Sequence, residues 1–190
     1  MAILDQGSCY GFQLRSELDR RTGSTGPVNV GQIYNTLDRL ERDKLVSTVA
    51  AGSGTTAPAQ STYYEITEAG RSEARNWFAT ADTPAVAGRE LAAKIALAAT
   101  LPGVDAASVI RIQRTATQRF LVSLGALQDA RTIDELAHVI VMTERLEAAG
   151  GELRFLNELE RMLPAAAETG IEAMPLNTEI PKRGRPAKAG

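Results

Sequence analysis

The chain is poor in the residues that build cross-links and metal centres. It has one cysteine, Cys9, and one histidine, His138. A disulfide framework needs paired cysteines, and a structural zinc site needs four ligands drawn mainly from Cys and His, so neither forms within one chain. So little cysteine fits a reducing, cytoplasmic setting. Aromatic residues make up 5% and tryptophan occurs once, at Trp77. No apolar run approaches the roughly 18 residues of a membrane span, so no membrane partner is expected. "MAILDQGSCYG" lacks the basic-then-apolar order of a signal peptide. No fixed-period repeat is present. No catalytic constellation assembles either. His138 stands alone on a predicted helix, and "GSTGP" lacks the Lys and Ser/Thr of a phosphate-cradling loop. The chain is therefore read as a non-enzyme with no cofactor and no metal. Two readings of Cys9 stand: a small buried residue, or a thiol activated by the start of a helix.

What is plentiful is helical material. Hydrophobic residues reach 44%, with many Ala and Leu, and charged residues 23%. Residues 1–80 read as short helices followed by a β-hairpin. "AIL" allows one turn, and a helix follows from about Tyr10 to Arg21 with Phe12, Leu14 and Leu18 as its apolar contacts. Asn29 and Gln32 form a capping box that opens the next helix, where Ile33, Leu37 and Leu40 make a buried stripe. "LVSTVA" and "STYYEIT" are the hairpin strands around the loose loop "AGSGTTAPAQ". Thr67 caps a last helix whose Trp77 and Phe78 close the small core. After the linker "ATADTPA" come helices over 87–101, from a cap at Asp105, and from a Thr132/Glu135 box to about Leu163. Gly150 and Gly151 mark a kink or a close approach. Two architectures suit these long amphipathic helices: a surface for a partner chain, or a monomeric bundle. From Pro164 the composition predicts a disordered tail.

Helix, loop, helix and hairpin in that order predict a winged helix-turn-helix domain whose second full helix enters a DNA groove. At helical periodicity the face opposite Ile33, Leu37 and Leu40 carries Gly31, Asn35, Asp38, Arg39 and Arg42. Gln32 and Tyr34 sit on its shoulders. Amide and arginine side chains are what base-edge and phosphate contacts use. Gln32 reads equally as a cap or as a DNA contact, Tyr34 as a DNA contact or as packing against the wing. Asp38 is expected to pair with Arg42 at i, i+4.

These residues resemble the PadR-like transcriptional regulators. The resemblance runs through "GSCYGFQLRSEL", "VNVGQIYNTLDRLERDKLV" and "YYEITEAGR", in that order and spacing. It implies a fold that is mainly α with a small β-hairpin wing: a winged-helix DNA-binding domain over 1–80 and a helical dimerisation domain over 84–163. It also implies a homodimeric repressor of a palindromic operator on double-stranded DNA, often released by a small-molecule effector, here unidentified. Tyr10, Gln32, Tyr34, Asn35 and Arg39 match positions where such proteins approach DNA. Leu146, Leu153, Leu156 and Leu159 match the dimer interface. The chain departs from the family pattern in four places. Only nine residues precede Tyr10, so about two turns of a first helix are expected to be missing. Lys44 stands where a helix-ending Gly is usual. The wing tip "GSGTTAPAQ" has no Lys or Arg. Trp77 lies in the N-terminal domain, which argues against the aromatic sandwich with which some relatives hold flat drugs.

The tail, residues 164–190, ends in "PKRGRPAKAG". Four of these ten residues are cationic and none is acidic, against a net charge of −2 for the whole chain. "PKRGRPAK" resembles an AT-hook core. Gly184 and Pro186 allow an extended path along a narrow groove, and Arg183 and Arg185 reach its A/T-rich floor. The competing readings are a merely solubilising tail and, for the whole chain, an architectural or weakly specific DNA binder dominated by that tail.

Overall fold

A computed structural model describes residues 1–23, 28–50, 61–86, 88–129, 136–168 and 173–177. The order is a 3-10 helix at Ala2–Gln6, β1 (Cys9–Tyr10), α1 (Gly11–Thr22), α2 (Val30–Arg42), β2 (Val46–Val49), β3 (Tyr63–Ile66), α3 (Glu68–Ala79), α4 (Gly88–Thr100), α5 (Ala106–Asp129) and α6 (Leu136–Glu168). Two compact units result. The first comprises the described residues of Met1–Arg20, Gly26–Arg71 and Pro175–Gly190, the second those of Arg21–Thr25 and Ser72–Met174. The fold is mainly α with a small antiparallel sheet, a winged-helix arrangement in its first unit. No described helix is long and apolar enough to cross a membrane.

In the first unit the sheet order is β1-β3-β2. The hairpin pairs Val46 with Ile66 and Val49 with Tyr63. Strand β1 has no signal in the sequence: two residues carry no period, and pairing of Cys9 with Tyr64 and Tyr10 with Tyr63 alone makes them a strand. Cys9 is fully buried and its thiol donates to the Gly7 carbonyl at 3.6 Å, the small-core-residue reading. In α1, Leu14 is buried, but Phe12, expected as an apolar contact, stands 39% exposed, and Glu17 is buried instead. The wing tip, residues 51–60, lies outside the described residues.

Helix α2 ends in a left-handed cap. Lys44 has φ 60°. Its N–H donates to the Glu41 carbonyl at 2.9 Å, and the Leu45 N–H donates to the Leu40 carbonyl at 2.8 Å. This is the Schellman arrangement, which glycine fits without a Cβ penalty. Lys44→Gly is therefore expected to stabilise the protein by about 1 kcal/mol, read as a higher urea midpoint at unchanged m. A lower midpoint would mean that the Lys44 side chain contributes more than its backbone strain costs.

In the second unit α5 packs mainly on α6, and α4 on α5. Asp105 caps α5 through its Oδ1, which accepts from the Ser108 N–H at 3.1 Å. The row Met142, Leu146, Ala149, Leu153, Leu156 alternates steps of four and three, and it lies on the inner side of α6. Met142, Ala149 and Leu156 are buried, and Leu146 and Leu153 are half-buried. The Thr132/Glu135 box lies outside the described residues. Helix α6 continues through Pro164 to Glu168, and an ordered segment follows at 173–177, where composition predicts an unbroken disordered tail. Its Met174 N–H donates to the Thr100 carbonyl at 2.9 Å, and Arg21 donates to the carbonyls of Thr100 and Met174.

Trp77 does not close a core: it is 39% exposed, 4.8 Å from the Phe78 ring, with the Lys94 ammonium 5.2 Å over its face. Lys94 is itself buried. Its Nζ donates to the Thr80 carbonyl at 2.7 Å and pairs with Asp82 at 3.1 Å. A buried ammonium needs all three partners to offset lost hydration, and Trp77 supplies the π face.

Candidate nucleic-acid interface

Helix α2 is set by its cap and its inner face. The Asn29 Oδ1 accepts from the Gly31 N–H at 2.9 Å, and the Gln32 Oε1 accepts from the Asn29 N–H at 3.1 Å. Leu37 is buried, with Ile33 and Leu40 half-buried beside it. The rotation this imposes leaves Gly31, Gln32, Tyr34, Asn35, Asp38, Arg39 and Arg42 exposed together. Thr36 joins them. It lies one turn beyond Gln32 on the same side, and a small hydroxyl residue carries no signal of its own in the sequence. Gln32 serves as the cap through Oε1, and its NH2 group is still able to donate elsewhere. Asp38 is expected from the sequence to pair with Arg42. Arg42 Nε instead meets the adjacent Asp43 at 3.4 Å, an exposed contact worth little.

Tyr34 is 38% exposed, and its ring lies on Gly11: a Cβ built there would come within 2.6 Å of Cζ. The bare Gly11 backbone thus lets the ring sit against the start of α1 while one edge faces solvent. Tyr10 is only 8% exposed and packs edge-on against Tyr63 at 5.6 Å. Burial pushes its phenol above the usual range, helped by Tyr63, Tyr34 and Cys9. Its side chain has little surface to offer DNA, and its place is in the sheet against Tyr63. Tyr64 is raised in the same way, by burial and then by Asp38, Glu41 and Tyr34. Arg183, Gly184, Arg185 and Pro186 lie outside the described residues.

The Transcriptional regulator PadR-like family matches residues 1–76. That match places the likeness to PadR-like regulators within the first 76 residues. No curated protein matches the chain. Among solved structures it is similar to Bacillus subtilis PadR in complex with operator DNA, at 21% identity and TM-score 0.38, covering 85% of this chain and 95% of that one. It is also similar to Bacillus subtilis PadR in complex with p-coumaric acid, at 18% identity and TM-score 0.35, covering 85% and 90%. The matched PadR-like domain contains every residue of α2, the cap of that helix and the sheet beneath Tyr34.

The leucines expected at the dimer interface differ in their burial within the single chain. Leu156 is 0% exposed within a single chain, and Leu146 and Leu153 are half-buried on the same inner side. Leu159 is half-buried as well. The apolar residues that α6 leaves exposed are Leu136, Ile140, Val141, Phe155 and Met162, with Leu136 at 76%. A heptad-like row looks the same in sequence whether its partner lies in the same chain or in another.

The second unit also holds a cavity of about 390 Å³ beside Leu91, Ala92, Ala148, Gly151, Glu152 and Phe155. That volume lies in the range of small-molecule sites. Its polar wall is Glu152, whose Oε1 accepts from Gln113 Nε2 at 2.8 Å and from the Thr117 hydroxyl at 2.5 Å. Its Oε2 accepts from the Ala85 N–H at 2.8 Å. No sequence signal marks this cluster, because its members come from three distant stretches.

Proposed function

We propose that this PadR-like protein is a homodimeric, sequence-specific transcriptional repressor that reads double-stranded DNA with α2. The carrying observation is the face of α2: a capped helix in the matched domain that exposes Gln32, Tyr34, Asn35, Thr36, Arg39 and Arg42 on one side. Asn35 and Gln32 are suited to base edges, and Arg39 and Arg42 to phosphate or guanine. Gly31 lets the helix start approach closely. Tyr10, buried in the sheet against Tyr63, contributes to this face from beneath rather than by direct exposure. Two copies would present two such helices to inverted half-sites one DNA turn apart. The exposed α6 row of Leu136, Ile140, Phe155 and Met162 is the face we assign to the second copy, in place of the inward leucines. The basic tail, with Arg183, Gly184, Arg185 and Pro186, is an auxiliary minor-groove contact. The cavity beside Glu152 is the place we assign to a small-molecule effector of apolar character.

Asn35→Ala and Arg39→Ala should each weaken binding to the selected operator by roughly tenfold, as removal of a base or phosphate contact does. Footprinting should show one symmetric protected site that survives deletion of residues 182–190. Sedimentation should give twice 20.3 kDa. Undiminished binding by both variants would remove α2 as the reader. Diffuse, A/T-dependent protection that disappears with the tail would favour the architectural reading.

A further inference from the structure

Between the end of α6 and the basic tail, Pro175–Asn177 lies against α1 within the first unit. Arg20 donates to the Pro175 carbonyl at 2.6 Å, and Gln13 Nε2 donates to the Asn177 carbonyl at 2.8 Å. The Asn177 N–H donates to Glu17 Oε1 at 3.1 Å. Glu17 is buried and is also held by Arg20, at 2.7 Å. The Leu176 side chain rests on Gly7, within 3.5 Å of where a Cβ would stand. Three residues thus make a backbone-directed contact with one face of α1, at positions 13, 17 and 20, which are spaced as one side of a helix. Such long-range carbonyl and amide pairing, about 160 residues apart in sequence, is specific rather than casual.

Directly after this contact the sequence runs Thr178–Pro181 and then into Lys182, Arg183, Arg185 and Lys188. We propose that Pro175–Asn177 is a clip that anchors the basic tail to α1, so that its cations act as a second DNA contact belonging to the PadR-like domain itself. The inference rests on the reading above that α2 and the tail bind DNA. Without the clip the tether would run from Met174, which Thr100 and Arg21 hold, through 175–181, seven residues. With it the tether is 178–181, four residues. Effective concentration falls as about the −3/2 power of tether length, so the clip raises that of the tail about twofold. Gln13, Glu17 and Arg20 are positioning residues in this scheme and need not touch DNA.

The test uses full-length protein and a duplex that it selects from a random DNA library. Three variants are compared with it: deletion of 182–190; Gln13→Ala with Leu176→Asp, to open the clip; and a ten-residue Gly/Ser insertion after Asn177, which lengthens the tether but leaves the clip closed. Deletion should weaken binding and flatten the salt dependence by roughly 0.9 for each phosphate that the tail had neutralised. The clip variant should weaken affinity about twofold and the insertion about sixfold, and the clip substitutions should cost nothing once 182–190 is deleted. If deletion itself changes neither affinity nor salt slope, the tail does not bind DNA and the proposal falls with that reading. If deletion weakens binding but the clip variant and the insertion match the full chain, the clip alone is refuted. An equal weakening by the clip substitutions with and without the tail would also refute it, since it would trace to α1 rather than to the tether.

Discussion

Gly70→Ala should destabilise the protein by about 3 kcal/mol, although helix propensity alone gives the opposite sign. Gly70 is the third residue of α3, where Ala is ordinarily favoured over Gly by about 0.5–1 kcal/mol. In this fold a Cβ at Gly70 would overlap the Leu45 carbonyl oxygen, stand 3.0 Å from its carbon and meet Ile66 Cγ1 at 2.8 Å. The first two neighbours are backbone and cannot rotate away. They are also engaged: the Leu45 carbonyl accepts from the Thr67 N–H at 3.1 Å, and the Thr67 hydroxyl donates to the Lys44 carbonyl at 2.8 Å while accepting from the Gly70 N–H at 3.1 Å. Relief of the overlap would pull α3 from the chain that links α2 to β2, breaking a cap worth about 1 kcal/mol on top of the overpacking penalty. Urea denaturation reads the difference. A midpoint equal to or above that of the parent protein would show that this corner relaxes freely, and the packing argument would be wrong. Because α2 is positioned from the same corner, DNA binding should weaken with stability.

Glu152→Ala should cost about 3 kcal/mol, and Glu152→Gln clearly less. The carboxylate gathers three donors: Gln113 Nε2, the Thr117 hydroxyl and the Ala85 N–H. Gln113 and Thr117 are buried, so truncation strands donors that water does not readily reach. Gln113 has further duties, since it also holds the N–H of Asp82 at 2.7 Å and its carbonyl at 3.2 Å. Ala85 sits at φ 66°, a left-handed conformation that a non-glycine residue keeps only when its surroundings hold it. Glutamine keeps one oxygen for Gln113 and Thr117 but presents an NH2 group to the Ala85 N–H. Its effect should therefore fall at residues 82–86, read as faster amide exchange there with α5 and α6 still protected. Equal destabilisation by Ala and Gln would show that charge, not acceptor geometry, is what the cluster requires. A cost under about 1 kcal/mol for Ala would mean that water replaces the carboxylate.

The elements carried by periodicity or by capping were legible in the sequence: the Asn29/Gln32 box, the stripe of Ile33, Leu37 and Leu40, the two hairpin strands and the Asp105 cap. These depend on residues within a turn or two of each other, so local chemistry is enough to specify them. The outward face of α2 followed by simple geometry, because a helix that buries one stripe must expose the other. Lys44 was legible for the same reason, as a side chain standing at a position that wants none.

Other features depended on what each residue meets far along the chain. Strand β1 exists only because β3 pairs with it. Glu17 is buried because a segment about 160 residues away occupies its side of α1. Leu156 of α6 is fully buried within the single chain and Leu146 and Leu153 half-buried, a distinction that heptad spacing does not encode. The Glu152 cluster joins α5, α6 and a stretch that reads as a linker. The sequence by itself thus determined the winged-helix unit and the face that α2 shows, through short-range periodicity. Only the tertiary structure decided which polar residues are buried together, since burial is a property of the assembled neighbours and not of the residue.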